Sequence, residues 1–320
     1  MIVAIKYGLL GVGLVLLFIH ICLDLFYYTD RYEQKLHHEH NHRSKGRKFI
    51  HTPEELSLID NVLIEPNLCH DEMSPKLLIA IKSDPTEIVQ RTAIRMSWLT
   101  LAKNYSVEHV FVLGTQPDGS IRKDVLKENS RFADLIVGDF DDDFYNLTLK
   151  SLLTLNWTAN HCPNRWLLYV EDNTIVNVDN VLKFITNASS DSRSTIYCSP
   201  KNGDETMVDR YEKSPTYVSK HTYSNDIFPS FCRNFGALFG PDSLLKLVNV
   251  TLESKSIPKL DLDSILITGL VAQAAFIPRL EGDFKCCADY GRKEYLANMV
   301  LGKQGKGVML VKQWQEMIAL

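Results

Sequence analysis

The sequence predicts an α/β fold with a mostly parallel sheet and helices on both faces. Three observations carry that expectation. Short apolar runs at 76–81, 107–113, 134–137 and 166–170 alternate with longer segments of helical character, the pattern of repeated βα units. The fourth run, Trp166-Leu-Leu-Tyr-Val170, has no charged residue in five positions, which suits a strand buried on both faces. Beyond its carboxyl end stand Glu171, Asp172 and Asn173, where open α/β sheets place their ligands. Oxygens there suit a hard divalent cation bridging a diphosphate; they suit a solvated turn equally well.

Taken in order, the chain begins with a tail, 1–6, and an apolar segment, 7–25, interrupted by His20. That length spans a bilayer. No small-residue cleavage site follows it, so it reads as an uncleaved signal anchor. Lys6 precedes the segment and Asp24 and Asp30 close it off, which puts the tail in the cytosol and the bulk of the chain in the lumen. The stretch 26–60 is polar and aperiodic and reads as a luminal stem. Its histidine tract, His37 to His42, reads as solvated rather than metal-binding, because a linker supplies no packed shell. The globular domain is expected over 61–320.

The first strand is broken by Lys82-Ser83-Asp84-Pro85, and Thr86 is placed to cap a helix from Glu87. In that helix Val89, Ala93 and Met96 are expected to face the sheet. Arg91 and Arg95 share another face, open either to solvent or to an anion. The acidic run Asp139 to Asp143 precedes a long helix over 145–160. It reads as a helix entry, with a second metal site as the alternative. A helix over 178–185 follows the fourth strand. After Asn187 the texture turns irregular up to Ser214. The aromatics around Gly236 suit either an acceptor floor or core. Leu260 to Ala272 reads as an acidic loop running into a buried helix, and the tail beyond Arg279 carries no legible role.

A length of 320 residues allows one large domain or two ordinary ones, and a net charge of −4 offers no basic footprint for nucleic acid. Asn104, Asn146, Asn156, Asn187 and Asn249 each begin an N-x-[ST] acceptor site, which agrees with a secretory lumen. Besides Cys22, the cysteines Cys69, Cys162, Cys198, Cys232, Cys286 and Cys287 allow up to three disulfides. The adjacent Cys286 and Cys287 are expected to bond to two different partners.

Several stretches, in this order, resemble the β-1,3-galactosyltransferase family of luminal hexosyltransferases, glycosyltransferase family 31. Glu65 to Cys69 and Leu77 to Ser83 are similar to its opening. Gln90-Arg-Thr-Ala-Ile-Arg95-Met-Ser-Trp98 resembles its RxAIRxTW helix. Asp139-Phe with Tyr145 to Lys150, Cys162-Pro with Trp166 to Asn177, Tyr217 to Lys220 with Phe228 to Cys232, and Asp263 to Gly269 match further family segments. The resemblance implies a GT-A-type nucleotide-sugar-binding fold, a UDP-sugar donor, Mn²⁺, a glycan acceptor and type II anchoring in the Golgi membrane. It implies donor binding by Ser83, Arg91, Arg95, Glu171 and Asp172, metal ligation by Asp172 and Asn173, and a carboxylate base, for which Asp263 is the candidate. The sugar would be galactose or N-acetylhexosamine, delivered to a 3-hydroxyl with inversion.

The chain departs from the pattern where the chemistry is densest. Asn173 stands where the family has its metal-ligating Asp, and a neutral amide oxygen binds a hard cation less well than a carboxylate. Ser264 aligns with the family's base, so Asp263 can serve only if the loop is displaced by one position. Asn234 replaces a family glycine. An active transferase is therefore weighed against a non-catalytic binder or partner on the same scaffold. A plain anchored adhesion domain would explain the anchor and glycosylation sites but not the motif series.

Overall fold

The computed structural model describes residues 52–70, 76–258, 260–288, 290–302 and 304–319. The anchor segment and most of the expected stem, with its histidine tract, lie outside the described residues. Among those described, no helix is long and apolar enough to cross a membrane. The end of the expected stem is packed: a helical turn, Pro53–Leu56, and a 3₁₀ turn, Ser57–Asp60, put Leu56 and Ile59 into the core. Core packing thus begins upstream of Asn61.

A short β1 (Val62–Ile64) precedes the four apolar runs, which form β2 (Leu77–Lys82), β3 (Glu108–Thr115), β4 (Leu135–Asp141) and β5 (Trp166–Glu171). These four lie side by side and parallel, in the order β4-β3-β2-β5. β6 (Ile175–Val176) follows the turn after β5. β7 (Ile196–Lys201), β8 (Phe231–Phe239) and β9 (Arg279–Glu281) complete an eight-stranded sheet, β1-β4-β3-β2-β5-β8-β7-β9. β1 pairs antiparallel with β4, and β8 antiparallel with both β5 and β7. The sheet is therefore mixed rather than mostly parallel. The reason is the irregular connection after β7, which brings the chain back as β8 without a crossover helix. β10 (Phe284–Cys286) and β11 (Val300–Gly302) join β6 in a small second sheet.

Helices cover both faces, which is why the central strands are apolar throughout. Along β2, Leu78 and Ala80 face one core while Leu77, Ile79 and Ile81 face the other; along β5, Leu167 and Tyr169 oppose Trp166, Leu168 and Val170. One core is closed by α1 (Ile88–Arg95), α2 (Leu99–Asn104), α3 (Lys123–Phe132) and α5 (Val178–Thr186), with α7 (Arg292–Ala297) and α8 (Val308–Ile318) beyond the second sheet. The other is closed by α4 (Leu147–His161), α6 (Pro241–Glu253) and a π-helix, Ile265–Val271. Phe228, Phe231, Phe235 and Phe239 are all buried, so the aromatics around Gly236 are core.

Two expectations fail here. Of the expected trio only Ala93 is buried; Val89 in α1 and Met96 just past its end are 67% and 63% exposed. The buried face instead carries Gln90, Arg91, Ile94 and Arg95, because carboxylates from neighbouring elements pair with the arginines. The cysteines pair as Cys69–Cys162, Cys198–Cys232 and Cys286–Cys287. The adjacent pair bonds to itself, since the other four are already matched across the core.

Candidate active site

β5 ends at Glu171, and the chain turns through Asp172 and Asn173 to Thr174. Every carbonyl of that turn is held. Thr174 Oγ1 donates to the Glu171 carbonyl at 2.8 Å, and Gln90 Nε2 to that of Asp172. The Gln304 N–H donates to the Asn173 carbonyl at 2.6 Å, and Trp98 Nε1 to that of Thr174 at 2.9 Å. The turn is therefore a fixed platform for its side chains. Asn173 Oδ1 is buried and has no hydrogen-bond partner.

The period of two along strands sorts the tip residues onto two sides. Lys82 and Glu171 pair in register at the ends of β2 and β5, on the same side as Tyr169. The next residues, Ser83 and Asp172, belong to the side of α1. Ser83 Oγ donates to Asp172 Oδ2 at 3.2 Å, and Lys306 Nζ lies 3.7 Å from Asp172 Oδ1. Burial raises the Asp172 carboxyl above its ordinary value, against the pull of Lys306 and Ser83.

On the other side stands Asp263, at the start of the helical turn that runs into the π-helix. Its Oδ2 accepts from Lys82 Nζ at 3.1 Å and from Ser151 Oγ at 2.9 Å, and its Oδ1 from the Ser264 N–H at 2.7 Å. Burial pushes this carboxyl up, but Lys82, Ser151 and the Ser264 amide outweigh it and hold it below the ordinary range. Lys82 is the mirror case: burial lowers it, yet Asp263, Tyr169 and Glu171 keep it above its ordinary value. Tyr169, hydrogen-bonded to Ser151 at 3.2 Å, is pushed up to about 12 by burial. Asp263, Ser264, Lys82, Tyr169, Asn234 and Thr268 line one crevice. The aspartate itself reaches the crevice from its own position, with Ser264 beside it.

The two arginines expected to bind the donor do something else. Arg95 Nε and Nη2 grip Asp134 at 2.8 and 2.7 Å, and its Nη1 lies 2.8 Å from Glu128 Oε1. Its guanidinium stacks between Phe111 and Phe132. Asp134 immediately precedes β4, so Arg95 sits toward the amino ends of the strands, away from the crevice. Arg91 is fully buried and also pairs with Glu128, its Nη2 at 2.7 Å. Its Nη1 donates to Ser83 Oγ at 3.1 Å, so it supports Ser83 from behind. The internal carboxylates on α3 and before β4 were not separable from surface charge in the sequence.

The acidic run resolves into two structural roles. Asp143 caps the turn before α4, accepting from the Tyr145 and Asn146 N–H groups. Asp142 pairs with Lys150 at 2.7 Å, and Lys150 also donates to the Ser83 carbonyl at 2.8 Å. Sequence reasoning missed Lys82, Lys306, Gln90 and Gln304. The available signals were a lysine ending an otherwise apolar strand, and Lys306 between Gly305 and Gly307.

The residues at this tip do not fit a resident Mn²⁺. A hard divalent ion takes about six oxygens, with carboxylates carrying the charge. Asp172 is engaged by Ser83 and has an ammonium 3.7 Å away, and Asn173 contributes one neutral oxygen. No group of three His, Cys, Asp or Glu side chains able to hold a metal exists among the described residues.

Of the glycosylation candidates, Asn104, Asn187 and Asn249 are exposed. Asn146 and Asn156 are half-buried, and their amides donate to the Asp141 carbonyl and to Asp60 Oδ1, at 2.9 and 2.8 Å.

Residues 89–282 match the family model described as galactosyltransferase, a region that holds β3 to β5, Asp172 and Asp263. The chain belongs to the galactosyltransferase family. It is similar to human beta-1,3-galactosyltransferase 5, with 28% identity over 210 residues, covering 65% of this chain and 66% of that protein. It is 26% identical over 222 residues to human beta-1,3-galactosyltransferase 2, covering 68% of this chain. The chain spans about half the length of that relative, 51%. Among solved structures, galactosyltransferase LgtC in complex with donor and acceptor sugar analogues aligns over 75% of this chain and 94% of its own, at 10% identity and a TM-score of 0.39. In family terms, Lys306 and Gln304 lie beyond the matched region, on the far side of β11.

Proposed function

We propose that the crevice at the carboxyl ends of β2 and β5 is the active site of an inverting hexosyltransferase with a GT-A-type fold. It would move galactose or an N-acetylhexosamine from a UDP-sugar to the 3-hydroxyl of an acceptor glycan. The observation that carries this reading is Asp263: a sequestered carboxylate held ionised in the crevice, with the Asp172 and Asn173 platform on the adjoining side. The names of the relatives favour galactose as the sugar and a β-1,3 linkage as the product. The apolar segment 7–25 and the exposed acceptor asparagines support a type II Golgi membrane protein with a luminal domain.

In this reading Asp263 takes the proton of the acceptor hydroxyl. The acceptor oxygen attacks the anomeric carbon from the face opposite the diphosphate. The bond from that carbon to the diphosphate oxygen breaks, and UDP leaves with the electron pair. An α-linked donor thereby gives a β-linked product. Lys82 keeps Asp263 ionised and oriented before the acceptor arrives, and Ser151 fixes the carboxylate plane. Most of the gain is positioning and electrostatics on a rigid frame.

The test is UDP release by the full-length chain in detergent, offered UDP-galactose, UDP-N-acetylglucosamine or UDP-N-acetylgalactosamine with a glycan acceptor. Turnover is expected with one of them, and Asp263→Asn should lower it by roughly 10²–10⁴-fold while leaving UDP affinity intact. A second reading, a non-catalytic binder, is favoured by one observation: Lys82 and Ser151 already occupy Asp263 Oδ2. It expects UDP-sugar binding with no turnover, and no effect of Asp263→Asn.

A further inference from the structure

The loop between β11 and α8 carries Lys306 between two glycines, and its location is the least expected feature of the site. Its Nζ lies 3.2 Å from Glu87 Oε1 and 3.7 Å from Asp172 Oδ1. The loop is fastened on both sides of that lysine. The Gln304 N–H donates to the Asn173 carbonyl at 2.6 Å, and the Gly305 N–H to Gln313 Oε1 at 2.8 Å. The Gly307 N–H donates to Gln90 Oε1, and Gln90 in turn donates to the Asp172 carbonyl. Gly307 has φ +54°, a left-handed backbone that glycine adopts without strain. One glutamine therefore ties the lysine loop, α1 and the β5 tip together. The Lys306 side chain keeps 36% of its surface exposed, so the ammonium is held at the surface on the α1 side of the β5 tip rather than sealed within the protein.

We propose that Lys306 supplies the positive charge that faces the diphosphate, in place of a divalent cation, so that this chain binds a nucleoside diphosphate without a metal. The inference rests on the transferase reading of the same crevice. Three observations converge on it. The acidic triplet has lost a charge at Asn173, which weakens it as a cation ligand set. A fixed ammonium stands beside Asp172, one of the two carboxylates that remain. The buried Asn173 Oδ1 lacks a partner, and a neutral acceptor of that kind suits a ligand hydroxyl or N–H. An ammonium has three donors in a compact charge and is a common phosphate binder. With two carboxylates anchoring it, its position is set before the ligand arrives, so little ordering remains to be done on binding.

The experiment is titration calorimetry of UDP into the full-length chain in detergent, in excess EDTA and in saturating Mn²⁺. The proposal expects similar affinity in both, and a loss of roughly tenfold or more for Lys306→Met in both. Lys306→Arg should retain most of the binding, which separates lost charge from lost folding. Asn173→Asp should make UDP affinity respond to Mn²⁺. Binding that requires Mn²⁺ in the unmodified chain overturns the proposal and leaves the transferase reading standing. Metal-independent binding that Lys306→Met does not weaken overturns it too, by removing the lysine from the site. No UDP binding under either condition overturns this inference and the transferase reading together.

Discussion

At the scale of single residues, the chain shows how the same charged side chain can be structural or chemical depending on what faces it. Arg91 and Arg95 look alike in sequence, on one face of α1 beside the first βα turn. Both are consumed by Glu128 and Asp134. Removing one partner from such a buried group leaves an uncompensated charge, so Arg91→Met should destabilise the fold by roughly 3–5 kcal/mol. Denaturant unfolding would measure this; a change confined to donor affinity, with stability intact, would return Arg91 to the binding site. Asp134 makes the same network sensitive to acid. Burial works against its ionisation, but His109 and Arg95 hold its carboxyl down at about 2. The unfolded chain, with Asp near its ordinary ~3.9, takes up that proton first as the pH falls. The stability Asp134 contributes is whole above about pH 4 and is lost as pH falls toward 2, on the order of 2 kcal/mol. Unfolding free energies between about pH 4 and 2 should therefore slope downward, and Asp134→Asn should flatten the slope.

At the scale of elements, the β5 tip is the feature most legible from the sequence. Its five apolar residues require cover on both faces, and the polar triplet after them required a use. The strands of the first half were legible for the same reason: apolar runs and burial on both faces agree there. What could not be read was anything fixed by distant pairing. The burial of α1 depends on carboxylates 37 and 39 residues away, and the direction of β8 depends on a connection without periodicity. The turn after β5 is locked by Gln90, Trp98 and Gln304, from two distant parts of the chain. Trp98→Phe replaces the fully buried indole by a smaller phenyl ring, deleting the bond to the Thr174 carbonyl and leaving a void. It should cost about 2–4 kcal/mol and raise hydrogen exchange at 171–174 above that of the neighbouring strand. Unchanged exchange there would mean that the turn is held by other contacts.

At the scale of the whole molecule, the sheet separates two chemistries by a one-residue step. Lys82 and Glu171 turn toward α4 and the π-helix, where Asp263 waits; Ser83 and Asp172 turn toward α1 and Lys306. A donor bridging the strand tips would meet both at once. In the proposed luminal orientation, glycans are expected at the exposed Asn104, Asn187 and Asn249, whereas Asn146 and Asn156 are half-buried and have their amides hydrogen-bonded. Glycopeptide mass spectrometry of the secretory form reads each position, and occupancy at Asn146 or Asn156 would count against the packed conformation around α4. The central claim is that a nucleotide diphosphate sits across the β2 and β5 tips. It is tested most directly by hydrogen exchange of the full-length chain with and without UDP. Protection concentrated at 82–84, 171–173 and 304–307 is the expected result. Protection confined to other segments, or none at saturating UDP, would contradict it.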